Sequence, residues 1–153
     1  MKPVDEKDKI HTAALRLLKY RDRSVAELRE RLRRKGFNPE SVENELQTLL
    51  DNNFLNDQRF TEIWIRHKLT ISRKGKKIIR AELAAKGISS RLFLEVWSKY
   101  RDAEIASARA FTLAKAAGFN LLDSFKRRGK LRQALYRRGY SAKAIEEALK
   151  EIQ

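Results

Sequence analysis

Hydrophobic residues recur along this chain at helical spacing, and one arrangement of them occurs three times. In "RRKGFNPESV", "AAKGISSRLF" and "YRRGYSAKAI" a glycine separates two amphipathic stretches; Gly36, Gly87 and Gly139 lie 51 and 52 residues apart. Eight and four residues before each glycine stand Leu28 and Leu32, Ile79 and Leu83, and Leu131 and Leu135. A spacing of four places each pair on one face of a helix. The glycine supplies a left-handed C-terminal cap, which costs least without a Cβ. An apolar residue follows (Phe37, Ile88, Tyr140), then an N-cap type (Asn38, Ser89, Ser141) whose oxygen can accept an orphan amide of the next helix. Pro39 suits the first position of that helix. The second helix carries Val42 and Leu46, Phe93 and Trp97, and Ile145 and Leu149 at matching positions.

A further helix precedes each pair. Ile10, Ala14, Leu17 and Leu18 place one over about residues 9–20, and Phe60, Ile63, Trp64 and Ile65 place another over about 60–70. Ile105, Ala108, Phe111 and Ala114 place the third over about 103–117. Ser24 and Glu27 in "SVAE" form a capping box, and Asp57 is placed to cap the helix near Phe60. No alternating strand pattern of useful length is found. The chain is therefore expected to be all-α, with three tandem three-helix, helix-turn-helix-like repeats at 1–57, 58–101 and 102–153. Each holds roughly 45 residues, too few for a robust independent core, so neighbours should lean on one another in an elongated, curved body. "DNNFLNDQRF" joins the first two repeats, and the less patterned "AGFNLLDSFKRRGK" is expected to be mobile.

Charge narrows the function. Lysine and arginine number 35 against 20 acidic residues, a formal charge of +15 that favours a polyanionic partner: nucleic acid, nucleoprotein or an anionic membrane. The membrane is disfavoured, because no apolar run approaches the roughly 20 residues needed to span it. "MKPVDEKDKI" also lacks the apolar segment of a secretory signal. The absence of cysteine excludes disulfides and thiolate chemistry. A soluble, cytoplasmic monomer is the expected form.

The cations recur with the repeat instead of forming one tail. Candidate partner-binding residues are Arg29, Arg33 and Arg34 in the first, and Lys74, Lys76, Lys77 and Arg80 in the second. In the third they are Arg127, Arg128, Arg132 and Arg137. Two basic positions keep register. Directly before the glycine stand Lys35, Lys86 and Arg138, where the helix macrodipole is reason enough for a cation. Seven before it stand Arg29, Arg80 and Arg132, too far from the helix end for that reason. They flank the buried face, where a solvated surface role and contact with an anionic or acidic partner both remain open.

Sequence-specific DNA reading is disfavoured. The helix after each turn would enter the major groove, yet it carries Glu40, Glu43 and Glu45 in one repeat and Glu146, Glu147 and Glu151 in another. The preceding basic helices remain able to touch a DNA backbone or a protein–DNA filament. His11 and His67 have no cysteine partners for zinc. "RKGKK" lacks the upstream glycine and strand of a phosphate loop. Asp57 and Glu62 read as solvated helix termini rather than metal ligands, and Trp64 and Trp97 as core rather than base-stacking platforms. No catalytic constellation emerges, so neither an enzyme nor a cofactor is expected.

Several stretches resemble the RecX family of bacterial recombination regulators: "ALRLLKYRDRSVAELRERLRRKGF" (14–37), "FLNDQRFTEIWI" (54–65), "IIRAELAAKGIS" (78–89) and "LYRRGYS" (135–141). Tyr20, Arg21, Ser24, Glu27 and Leu28 form one fairly specific string, and Leu55, Asn56, Asp57, Arg59 and Phe60 another. Gly75, Glu82, Leu83, Lys86 and Gly87 fit the middle motif, with Lys76 where the family often has proline; residues 118–130 are not diagnostic. The resemblance implies binding to the RecA recombinase, in the helical groove of its filament on DNA. It also implies hindrance of filament growth, ATP hydrolysis, strand exchange and repressor cleavage, which damps the SOS response and modulates recombination and repair. Linked repeats would touch successive protomers, each contact raising the local concentration for the next. The alternatives are a nonspecific DNA-binding module, contacting single- or double-stranded DNA with the same cations, and an unrelated helical adaptor.

Overall fold

The computed structural model describes residues 5–152, and among them every regular element is helical. Residues 1–4 and 153 lie outside the described residues; the start of "MKPVDEKDKI" and the outer ends of the first and third expected repeats fall there. The helices are α1 (Glu6–Tyr20), α2 (Val25–Arg34), α3 (Pro39–Asp51), α4 (Asp57–His67) and α5 (Lys76–Ala85). They continue with α6 (Ser90–Trp97), α7 (Arg101–Ala116), α8 (Ser124–Arg137) and α9 (Ala142–Leu149). A π-helical turn, Lys68–Ser72, follows α4, and a 3-10 turn, Ala117–Phe119, follows α7. The chain forms two compact units, one of Met1–Phe60 with Ala85–Ile88, the other of Thr61–Ala84 with Ser89–Gln153.

In the first unit α1, α2 and α3 pack pairwise around Ile10, Ala14, Leu17, Leu28, Leu32, Val42, Leu46, Leu49 and Leu55. The capping box forms as the sequence predicts: Ser24 Oγ accepts from Glu27 N (3.1 Å), and the Glu27 carboxylate accepts from Ser24 N (3.2 Å). Ser24 Oγ itself donates to Lys86 O at 2.6 Å. Beside it, a Cβ on Gly87 would stand 2.4 Å from the Cβ of Ala26, whereas Gly36 faces open space. Glycine is thus required at 87 by close approach as well as by its φ of +82°.

Glu27 also receives Arg21 Nη2 (2.7 Å) and Lys86 Nζ (3.2 Å). Burial alone would raise its pKa, but the hydrogen bonds from Arg21, Ser24 and Lys86 outweigh it and hold the carboxyl down at about 2, against 4.5 unperturbed. A depressed folded pKa contributes stability that is present above 4.5 and is lost as pH falls toward about 2. In urea midpoints measured across that window, the native protein should lose stability on acidification and Glu27→Gln should lose distinctly less. Parallel curves would show that this carboxylate is not the titrating group.

Asp57 does not cap its own helix. Asn56 does, its Oδ1 accepting from Arg59 N at 3.0 Å. Asp57 Oδ1 instead accepts from Val25 N, the first amide of α2, at 2.9 Å. Burial pushes the Asp57 carboxyl up, and the Val25 amide pulls it part of the way back. Either neighbour suits an N-cap chemically, and only the approach of α2 assigns the two roles.

In the second unit the paired positions of the repeat, Ile79, Leu83, Leu131 and Leu135, are fully buried, and Phe93 stacks on Trp97 with centroids 5.5 Å apart. Helices α7, α8 and α9 enclose Ala108, Phe111, Tyr140, Ala144, Ile145, Ala148 and Leu149. Three expectations change. Ile63 is 44% exposed, because two residues advance a helix by about 200° and Ile65 holds the inward face. Trp64 is half-buried, its Nε1 donating to Glu82 Oε2 at 3.0 Å. Ala114 is exposed, since the buried stripe of α7 runs through Glu104, Ser107, Ala108, Phe111 and Thr112. The weakly patterned stretch before Leu131 is helical from Ser124, started by Asp123 Oδ1 accepting from Lys126 N (2.9 Å). Its first turns hide from a periodicity search because their one large apolar residue, Phe125, faces outward at 85% exposure.

A backbone junction ties α5 to the turn between α8 and α9. Gly75 N donates to Arg138 O and Lys77 N to Gly139 O, each at 2.9 Å. The buried Glu104 carboxylate accepts from Lys76 N (2.8 Å) and Ser141 N (3.1 Å) through Oε2, and from Ser141 Oγ (2.5 Å) through Oε1. Ser107 Oγ donates to Leu69 O of the π-helical turn (2.5 Å), which leaves Tyr140 Oη to donate to Ser107 Oγ (2.8 Å). Lys76, standing where proline is frequent in the resembled family, thus has its amide in use.

Candidate partner-binding groove

The candidate cations separate according to whether the chain's own acceptors hold them. Arg29 grips Glu43 with two hydrogen bonds, Nε to Oε1 at 2.7 Å and Nη2 to Oε2 at 3.2 Å. That contact raises the Arg29 pKa and lowers that of Glu43. Arg33 approaches the same carboxylate at 3.6 Å, and Arg34 Nε donates to Glu30 at 2.9 Å. Lys74 Nζ donates to Glu82 at 3.0 Å, with Lys68 at 3.5 Å. Burial pushes the Glu82 carboxyl up, but the Lys74 and Trp64 hydrogen bonds leave it below its ordinary range. Arg128 donates to Leu149 O and Ile152 O, closing the end of α9. Arg132 pairs with Glu146. Arg127 is half-buried on α8.

Lys76, Lys77, Arg80 and Arg137 have neither a carboxylate nor a backbone-carbonyl partner for their side chains among the described residues. Lys77 Nζ lies 5.5 Å from the centroid of the Tyr136 ring. Arg80 donates to Ser90 Oγ at 3.2 Å and stands over Phe93 at 5.9 Å. All four border one groove of the second unit. It consists of two adjoining depressions of about 420 and 550 Å³ that share Tyr136, Ala142 and Ile145 as floor. Lys76, Lys77 and Arg80 of α5 rim one side, and Arg132 and Arg137 of α8 rim the other. The junction through Gly75 and Glu104 holds these walls together. The geometry suits binding: an apolar floor can take an apolar side chain, and the rim can take anionic groups around it.

The repeat explains why Arg80 differs from its two equivalents. Seven residues after the glycine stand Glu43 in the first copy and Glu146 in the third, and each pairs with its register arginine. The middle copy has Leu94 there, 45% exposed, so that among the described residues Arg80 pairs with no carboxylate. That signal was readable in the sequence by comparing positions on both sides of the glycine. The approach of α5 to the floor of Tyr136, Ala142 and Ile145 and the strap through Glu104 were not, because they join helices far apart in the chain. Among the described residues no group of three or more His, Asp or Glu is placed to hold a metal ion, and no helix is long and apolar enough to cross a membrane.

Family models for the first, second and third three-helix domains of RecX match residues 11–49, 56–93 and 102–149 in order. The chain is 31% identical over 149 residues to a regulatory protein RecX of Halalkalibacterium halodurans, covering 97% of this chain and 56% of that protein. It is 25% identical to one of Bacillus cereus, covering 97% and 55%. The chain thus spans about half the length of the curated relatives it matches. A crystal structure of RecX from Lactobacillus salivarius superimposes with a TM-score of 0.89 at 24% identity, covering 96% of both chains. A second RecX crystal structure does so at 0.82 and 22%, covering 96% of this chain and 74% of that one. These likenesses bear on the fold.

Proposed function

The chain belongs to the RecX family, and on that premise we propose that it regulates the RecA recombinase by binding RecA and its filament on DNA. In this reading it is a non-enzymatic inhibitor. It slows filament growth, ATP hydrolysis, strand exchange and the filament-dependent cleavage of repressors, and so moderates recombination, repair and the SOS response in the cytoplasm. The observation that carries the reading is the match of all three family domains, in order, across residues 11–149. Three linked repeats, bounded near residues 57 and 101, offer a polymer several weak contacts that reinforce one another. The candidate cations supply the charge, with Lys76, Lys77, Arg80 and Arg137 leading because no carboxylate among the described residues competes for them.

The second reading, nonspecific DNA binding, is favoured by the charge of +15 alone. One titration separates the two: RecA ATPase on saturating single-stranded DNA with substoichiometric protein. Inhibition at protein levels far below the number of DNA sites is the expected result. Inhibition only when protein rivals DNA sites would indicate competition for DNA, and an unchanged rate would point to an unrelated adaptor.

A further inference from the structure

We propose that the groove between α5 and the α8–α9 pair docks an acidic protein segment presenting an apolar side chain flanked by carboxylates, with Arg80 its principal charge contact. The proposal rests on the reading of the partner as a protein filament and names the chemistry that filament would present. Its first support is internal. Arg29 and Arg132 hold Glu43 and Glu146, so two of the three repeats display the ligand that this arginine position takes, and the Arg29 grip uses both carboxylate oxygens. In the middle repeat Leu94 replaces that glutamate, no carboxylate among the described residues pairs with Arg80, and the proposed occupant supplies one.

The second support is the floor. Tyr136 is 66% exposed beside Ala142 and Ile145, an apolar surface that a phosphate backbone leaves unused. A base could stack on Tyr136, but Lys77 already lies over that ring. Among the described residues the one carboxylate lining the groove, Glu146, is held by Arg132, so the rim keeps its positive sign for an incoming acid.

Ala142 gives a test that keeps the fold. It is exposed and is the first residue of α9, where glutamate favours the helix through its dipole. Ala142→Glu therefore fills the groove with a carboxylate, Ala142→Gln fills it without charge, and Arg80→Glu reverses the main contact. Affinity for the RecA filament and for a bare single-stranded oligonucleotide would be measured for each. Ala142→Glu and Arg80→Glu should weaken filament binding by about tenfold each, Ala142→Gln by less, with oligonucleotide binding changed by no more than about twofold.

Equal losses on filament and oligonucleotide would overturn the proposal in favour of a nucleic-acid contact. Unchanged filament affinity in both charged variants would overturn it while leaving the RecA reading intact. Should the native chain fail to bind the filament, that reading falls and the groove is judged alone. A peptide of one leucine flanked by glutamates would then be titrated by NMR. Shifts at the amides of Tyr136, Ala142 and Ile145 that vanish in Arg80→Glu support the site; their absence rejects it.

Discussion

Gly75→Ala should destabilise the second unit by about 3–5 kcal/mol, more than any ordinary surface substitution. The added Cβ would stand 2.3 Å from Tyr140 Cα, 2.4 Å from Tyr140 N and 2.6 Å from Gly139 C. All three are backbone atoms, so no side-chain rotation relieves the contact. Relief requires parting the start of α5 from the α8–α9 turn, which breaks the bonds of Gly75 N and Lys77 N to Arg138 O and Gly139 O. Gly129→Ala is the control. Nothing lies within 4 Å of its Cβ position, and in the interior of α8 alanine should stabilise by about 0.5–1 kcal/mol. Urea unfolding followed by circular dichroism reads both. A Gly75→Ala midpoint equal to the native one would mean that the two backbone segments are not in contact.

Glu104→Ala should cost a similar amount, about 3–5 kcal/mol, because it strips one carboxylate from the starts of two helices. Glu104 is 3% exposed and receives Lys76 N, Ser141 N and Ser141 Oγ. Without it, the amides of Lys76 and Ser141 lose their acceptor. Glu104→Gln keeps one acceptor oxygen but turns an amide toward the other donor, and should cost about half as much. Lys76→Pro removes a single donor. Proline ordinarily suits the first position of a helix, yet here it should cost about 1–2 kcal/mol, since that amide is engaged. Urea midpoints should rank Glu104→Ala below Glu104→Gln below Lys76→Pro, and a neutral Glu104→Ala would remove the carboxylate from the junction. Because Lys76 and Ser141 also line the groove, filament binding should weaken alongside stability.

Both substitutions fall at places where sequence patterning said little. Gly75 fitted a family motif without showing why glycine is needed, as its reason is a backbone fifty and more residues away. Glu104 stands in the first turn of a helix, a position where an acidic residue ordinarily answers to the dipole alone. Asp57 misled in the same manner, being locally a cap and in the fold an acceptor for Val25. The candidate arginines show the same division. Their positions were legible from the repeat, but whether each is engaged depended on what the following helix brings within reach.

What the sequence by itself determined is the local order: helix after helix, the buried pairs four apart, the left-handed glycine turns and the caps after them. These follow from the 3.6-residue period and from backbone sterics, which act over a few residues and leave a readable pattern. The tertiary structure alone decided which polar groups meet: Glu104 with two helix starts, Gly75 against a distant turn, and, around one apolar floor, cations that no carboxylate among the described residues holds. Hydrogen bonds and ion pairs reach only a few ångströms, so their partners exist only once packing has brought remote helices together.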